Sequence, residues 1–329
     1  MGSYLINEII LPSLIVFIFL YVLSFVIVMN IDDWFLIWFG LELNIIRFLV
    51  LVYNRERLWN IESCLKYFFI QSLGSIILVG GYYLGEGYFE VVCSLILRYK
   101  IGGGPFFFWF PSVCSGISWI GCYMLMTFQK FLPLWLLIRI IGWWIWFIVV
   151  LSLIVGVWGC YNQMNLKSLL AFSSIHQIGW LLMCSYVGGL TWVIYYVVYF
   201  FVLLIIVIKL IKYEIVNLLR VVEVEGKLWM ILIMINLGGV PPLLGFFMKW
   251  FGLYSFMALS YFFVIVMVLI SVIMLYVYIR VCYNIFLGEN IEIGWLYKES
   301  LFYNYNLMGV EVGILIGVFL GGFVFFFLF

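Results

Sequence analysis

The sequence predicts an all-α polytopic membrane protein of about eleven transmembrane helices. They form two inverted five-helix repeats with discontinuous helices, followed by a C-terminal helix. Three observations predict this. Of 329 residues, 68% are hydrophobic and 9% charged, where a soluble domain carries about a quarter charged residues; the mean hydropathy is +1.26. The apolar residues fall into runs of membrane-spanning length. Two of those runs, five apart in order, carry the same interruption by glycine, proline and lysine.

A helix needs about 20 mainly apolar residues to cross the hydrocarbon core. The runs that meet this are 9–30, 34–53, 61–84, 88–113, 117–137, 142–160, 165–186, 190–212, 228–252, 258–286 and 307–328. The first repeat covers about 9–137, the second about 142–286, and the final helix about 307–328. No connector is long enough to separate two independent units, so 1–329 reads as a single membrane domain. The main polar connectors are NRERLWN (54–60), 213–227 and 288–306; the last two suit interfacial amphipathic segments. MGSYLINEII lacks a basic n-region and a cleavage site, so no signal or transit peptide is expected.

Basic residues fix the expected orientation. On the N-terminal side the connectors hold Arg55, Arg57, Lys167, Lys209, Lys212, Arg220, Lys227 and Lys298. On the other side stands Arg139, among Asp32, Asp33, Glu86 and Glu90. The positive-inside rule then puts the N-terminus in the cytoplasm or matrix and the C-terminus across the membrane.

The two interruptions are YKIGGGPFFFWFP (99–111) and GGVPPLLGFFMKW (238–250). Because five is odd, a five-helix repeat enters the membrane the opposite way the second time. Matched Gly/Pro breaks in such a pair point to an inverted-repeat transporter and its site. Proline removes a helical hydrogen bond. The freed carbonyls must be buried in protein or face a wet cavity, and each break places a lysine, Lys100 or Lys249, beside them.

Three more charges lie within apolar runs: Glu42 in WFGLELN, Lys66 in LKYFFIQS and Lys130 in MTFQKFLP. A charge at a helix centre costs about 2.5–3.5 kcal/mol on insertion scales. Four lysines and a glutamate are therefore expected to face the interior and mark an ion or proton path, with Glu42 within reach of Lys66 or Lys100. Lysine suits this work because burial disfavours its charged form. Arg47 and Arg98 read as snorkelling side chains, and the lone histidine, His176, reads as a packing residue before it reads as a relay. Seven scattered cysteines without a CxxC pair, and one histidine, argue against disulfide, zinc or iron–sulfur chemistry. A net charge of +1 gives no sign of nucleic acid.

WFGLELN, SCLKYFFIQSLGS, KIGGGPFFFWFPSV, MLMTFQKFLP, NLKSLLAFSSI, NLGGVPPLLGFFMKW and YIRVCY, in this order and spacing, resemble the antiporter-like chain 2 family of NADH:ubiquinone oxidoreductase, respiratory complex I. The likeness runs along nearly the whole chain and fits the shortened mitochondrial form of animals. It implies a proton-translocating membrane-arm subunit driven by quinone reduction elsewhere in the complex. NADH, FMN, iron–sulfur clusters and ubiquinone would sit on other subunits, with no cofactor or metal in this chain. Partners would be other membrane subunits, accessory subunits and lipids such as cardiolipin. The location would be the mitochondrial inner membrane, N-terminus in the matrix and C-terminus in the intermembrane space; the chain's T- and G-rich codon character suits an organelle gene. The resemblance gives Glu42 the coupling role, Lys100 the first broken helix, Lys130 the lateral relay, Lys249 the second broken helix towards the exit, and Lys66 a further place in the set. The chain departs from the family pattern at Phe107 and Gln177, where histidines are common, and at Ser115, where a glutamate is common. The alternative readings are a cation/proton antiporter subunit and a non-pumping structural membrane subunit.

Overall fold

The computed structural model describes residues 12–55, 57–83, 86–140, 142, 145–188, 190–221, 227–241, 243–257 and 261–287. The expected final helix at 307–328, and Lys298, lie outside them. The described residues are helical apart from short turns. Those of Met1–Gly159 with Lys167–Leu182 form one compact unit, and those of Cys160–Leu166 with Met183–Phe329 form a second.

In the first unit α1 (Pro12–Asn30), α2 (Trp34–Val52) and α3 (Leu58–Tyr83) pack in sequence order. Then come α4 (Glu86–Ile101), a 3-10 turn at Gly104–Phe106, α5 (Trp109–Gly116), α6 (Trp119–Met126), α7 (Phe128–Arg139) and α8 (Ile145–Cys160). The next helix, α9 (Leu166–Val187), contributes its first four turns to this unit. The second unit holds α10 (Thr191–Lys212), α11 (Lys227–Gly238), α12 (Leu244–Met257) and α13 (Tyr261–Leu287).

Among the described residues, six helical stretches are long and apolar enough to cross a membrane: Trp34–Val52, Leu58–Tyr83, Trp119–Arg139, Leu166–Val187, Thr191–Lys212 and Tyr261–Tyr283. A seventh candidate is the pair Phe89–Phe106 and Trp109–Gly116, bent by 94° at the first Gly/Pro break. Two further apolar helices, Val16–Asn30 and Ile145–Cys160, are shorter.

In lipid, helices gain little by burying apolar surface against one another, so close approach of backbones matters more. The first unit shows this. A Cβ on Gly40 would lie 2.6 Å from Val28 Cγ2, and one on Gly81 would lie 2.8 Å from Val92 Cγ1. Glycine thus lets α1 lie against α2, and α3 against α4. Aromatic pairs fill the rest: Trp34 meets Phe89 edge-on at 4.7 Å, and Phe48 meets Tyr67 at 4.9 Å. The outer faces stay greasy, with Phe19, Phe69, Trp158 and Phe262 all more than half exposed on the isolated chain.

Candidate functional site

The first break is built so that the carbonyls at the end of α4 find partners. Gly102 turns the chain with φ +73°, in the left-handed region that favours glycine. Its N–H, and that of Gly103, donate to Arg98 O at 3.0 and 3.2 Å. The indole of Trp109, from α5, donates to Tyr99 O at 3.1 Å, and the Gln71 amide, from α3, donates to Lys100 O at 3.0 Å. The helix end is thereby satisfied inside the protein, as a low-dielectric setting demands.

Lys100 sits in that last turn and is 5% exposed. Its stem lies along α3, where a Cβ on Gly74 would come within 3.3 Å of Lys100 Cε. Its Nζ is buried and has no hydrogen-bond partner among the described residues.

Lys130 lies on α7 and is 2% exposed. A second break precedes it, one without glycine or proline: Thr127, at φ −115° and ψ −90°, separates α6 from α7. Lys130 Nζ donates to Ser174 Oγ of α9 at 2.8 Å and rests 4.2 Å above the Phe110 ring. Ser174 in turn donates to Ala171 O at 2.6 Å.

Both lysines line one cavity of about 20 Å³, together with Asn44, Tyr67, Gln71 and Gln129. A single water needs roughly 10–15 Å³ and two to four polar partners, and this chamber offers both. Sequence reading expected Lys100 and Lys130 to face the interior, and both are buried.

The amides around the chamber were not foreseen. Gln129 Oε1 accepts from Tyr67 Oη and from Asn44 Nδ2, each at 3.1 Å. Its Nε2 donates to Tyr21 Oη at 3.1 Å and Asn44 Oδ1 at 3.3 Å. One side chain thus joins α1, α2, α3 and α7. The visible signal was three amides, Asn44, Gln71 and Gln129, at membrane depth.

Glu42 is half-buried on α2 and accepts a hydrogen bond from Ser75 Oγ. It lies within electrostatic range of Lys100, yet the two form no ion pair. The placing of Lys66 needs correction. It lies on the outer face of α3, about half exposed, and pairs at 2.6 Å with Glu62 one turn earlier. It faces neither the chamber nor Glu42. A neighbour at i,i+4 satisfies it locally, so nothing draws it inward.

Arg98 is also placed differently from expectation. It is 2% exposed, in the last turn of α4, which stops at Ile101. Arg47 is half-buried with its guanidinium 5.3 Å from the Phe17 ring centroid. His176 and Gln177 are buried in α9, where α8 passes over the His176 backbone at Gly156. Phe107 stacks on Phe108 at 4.0 Å and meets Phe172 at 6.4 Å, so its ring stands among aromatics. Ser115 hydrogen-bonds back to Ser112 O. Among the described residues no three His, Cys, Asp or Glu side chains gather as a metal site would require.

The second unit repeats the logic of the first break with different residues. Gly239 turns at φ +81° after α11. Lys249, 7% exposed on α12, reaches back so that Nζ donates to Gly238 O at 2.7 Å. Asn236 Oδ1, on α11, accepts from Gly245 N at the start of α12 at 2.8 Å. Each half-helix end is closed by a side chain of the other half. The ammonium sits at the negative end of α11, where a cation is favoured.

Comparison with known proteins bears on this architecture. The family described as NADH:quinone oxidoreductase/Mrp antiporter, TM, matches residues 32–85 and 88–274. NADH-ubiquinone oxidoreductase chain 2 of Anopheles gambiae is 30% identical over 304 residues, 87% of this chain and 89% of that one. Its counterpart in Aedes aegypti is 31% identical over 311 residues, 89% of this chain and 91% of the relative. Among solved structures, a chain of respiratory complex I from Thermus thermophilus superposes with a TM-score of 0.72 at 21% identity, covering 82% of this chain and 69% of that chain. A chain of the membrane-bound sulfane sulfur reductase, an archaeal respiratory membrane complex, gives a TM-score of 0.72 at 18% identity, covering 93% and 73%. At such identities these two likenesses speak for the fold.

Proposed function

Because the chain belongs to the NADH:quinone oxidoreductase/Mrp antiporter membrane family, and its relatives are NADH-ubiquinone oxidoreductase chain 2, we infer that it is a proton-translocating membrane-arm subunit of NADH:ubiquinone oxidoreductase. It works beside other subunits of that complex in the inner mitochondrial membrane, and the redox groups belong to those subunits. The finer architecture we propose is eleven spans in two inverted five-helix repeats with a final helix, the N-terminus in the matrix.

The observation that carries the reading is the shared chamber. Two lysines, 5% and 2% exposed, line one polar cavity with room for a water. An unneeded buried charge is costly. Burial disfavours the charged form of a lysine, which is the condition for passing its proton on.

The two ammonium positions are held unequally. Lys130 has Ser174 Oγ and the Phe110 ring to support its charge. Lys100 has no hydrogen-bonded partner in the described residues and depends on the more distant Glu42. With the Glu42 carboxylate near, Lys100 holds the proton; with it drawn away, Lys130 is the better-supported position, and the proton crosses the chamber, which has room for a bridging water. Gln71 and Trp109 keep the helix end still while this happens. Lys249, held at a carbonyl end, takes the corresponding part in the second unit.

The test is NADH-driven proton uptake by vesicles containing the complex with Lys100→Met. Assembled complex that oxidises NADH but takes up fewer protons per electron is the expected result. An unchanged ratio would remove Lys100 from the path.

A further inference from the structure

The chamber leaves one question of aim. The direction of Lys130 depends on the rotation of α7 about its axis, and the backbone does little to fix that rotation. Thr127 breaks the helix three residues before Lys130, and Pro133 removes a backbone donor three residues after it. At the N-terminal end of α7 no side-chain cap is formed. Side-chain contacts must hold the helix, and the bond from Lys130 to Ser174 fixes only the tip of one of them.

We propose that the reciprocal amide pair Asn44–Gln129 is the positioning device that ties the rotation of α7, and so the aim of Lys130, to the Glu42-bearing helix α2. Gln129 and Lys130 are adjacent in α7, about 100° apart around the helix. Fixing one side chain therefore fixes where the other points. Gln129 is fixed at every polar atom. Its oxygen accepts from Tyr67 and Asn44, and its nitrogen donates to Tyr21 and Asn44. Two donors and two acceptor sites are all that an amide has, so any rotation of α7 breaks bonds that buried surroundings do not replace.

The partner's address gives the pair its meaning. Asn44 is two residues from Glu42 on α2, and is 3% exposed. A change of tilt or rotation at Glu42 thus reaches α7 through two parallel hydrogen bonds rather than through lipid-like side chains. Tyr21 and Tyr67 brace the pair from α1 and α3. The tyrosines hold; the amide pair links. This inference rests on the reading of Lys130 as a proton carrier, and it assigns Asn44 and Gln129, in the wall of the chamber, a positioning role.

The experiment uses the intact complex in vesicles, with three variants measured side by side. Gln129→Asn shortens the amide by one methylene and opens the pair. Asn44→Gln with Gln129→Asn exchanges the two lengths and restores the span between α2 and α7. Lys130→Met reports on the underlying reading. The readout is protons taken up per electron in the assembled fraction, a quantity that a merely stabilising residue would leave alone. Expected is a loss in this ratio for Gln129→Asn and its return to the wild-type value in the double variant. A normal ratio in Gln129→Asn, or a depressed one persisting in the double variant, overturns the pairing. If the single variant does not assemble, the double variant decides alone, with a normal ratio supporting the link and a low one refuting it. A normal ratio in Lys130→Met would instead sink the carrier reading itself, whatever the amides do.

Discussion

Replacing Lys130 by methionine separates what the ammonium does for stability from what it does for transport. The structure allows both sides to be weighed. The change removes a charge-assisted hydrogen bond to Ser174, worth about 1.5–3 kcal/mol. It also removes the contact with the Phe110 ring, worth about 2 kcal/mol when desolvated. Against this, the protein no longer buries a charge in a helix at 2% exposure, which relieves about 2.5–3.5 kcal/mol on insertion scales. Ser174 is not orphaned, since it keeps its bond to Ala171 O. Methionine is unbranched and of similar reach, and swaps that conserve volume cost less than about 1.5 kcal/mol. The terms largely offset one another, leaving a net loss of about 0–4 kcal/mol, centred near 2. The amount of assembled complex, read on native gels, is therefore expected to stay close to wild type while protons per electron fall. A near-complete loss of complex would show that the magnitudes are wrong and that the ammonium is structural. A normal ratio in normally assembled complex would show that the chamber does not need a proton there.

Three other variants probe separate parts. Gly102→Ala places a side chain at φ +73° and sets its Cβ 3.2 Å from Phe110 Cβ; the left-handed backbone alone costs about 1–2 kcal/mol. Thermal inactivation of the complex is expected at lower temperature, whereas Gly103→Ala, at φ −93°, is expected to be milder; equal effects would refute the turn argument. Lys249→Met frees Gly238 O and is expected to lower protons per electron more than it lowers assembly, measured on the same preparation. Lys66→Gln breaks only an exposed i,i+4 pair, of the kind worth about 0.3–0.5 kcal/mol, and should leave the proton ratio unchanged; a fall would put Lys66 back in the path.

How much of this was legible in the sequence depended on the kind of signal. Glycine and proline announce themselves, so both breaks and the lysines beside them were visible in KIGGGP and GGVPPLLGFFMK. Burial of Lys100, Lys130 and Lys249 followed from the cost of charge in hydrocarbon, and all three are at most 7% exposed. The same argument misplaced Lys66, because hydropathy along a helix does not say which face a charge occupies and Glu62 supplies a local partner. It also misplaced Arg98, whose burial at the end of α4 depends on which helices pack around that last turn. The Thr127 break carries no Gly or Pro to betray it. The Gln129 network was invisible for another reason: its four members come from four helices, up to 108 residues apart in the chain, and periodicity within one helix cannot pair side chains across several.

The central claim is that Lys100 and Lys130 serve one proton path through one chamber. The most direct measurement is the proton-to-electron ratio of the Lys100→Met/Lys130→Met double variant beside each single variant, in vesicles with equal amounts of assembled complex. Two residues acting as a unit are not additive. If they share a path, the double variant loses no more protons per electron than either single variant. If instead the two losses add, the lysines serve separate routes, and the common chamber is not the place where the proton crosses.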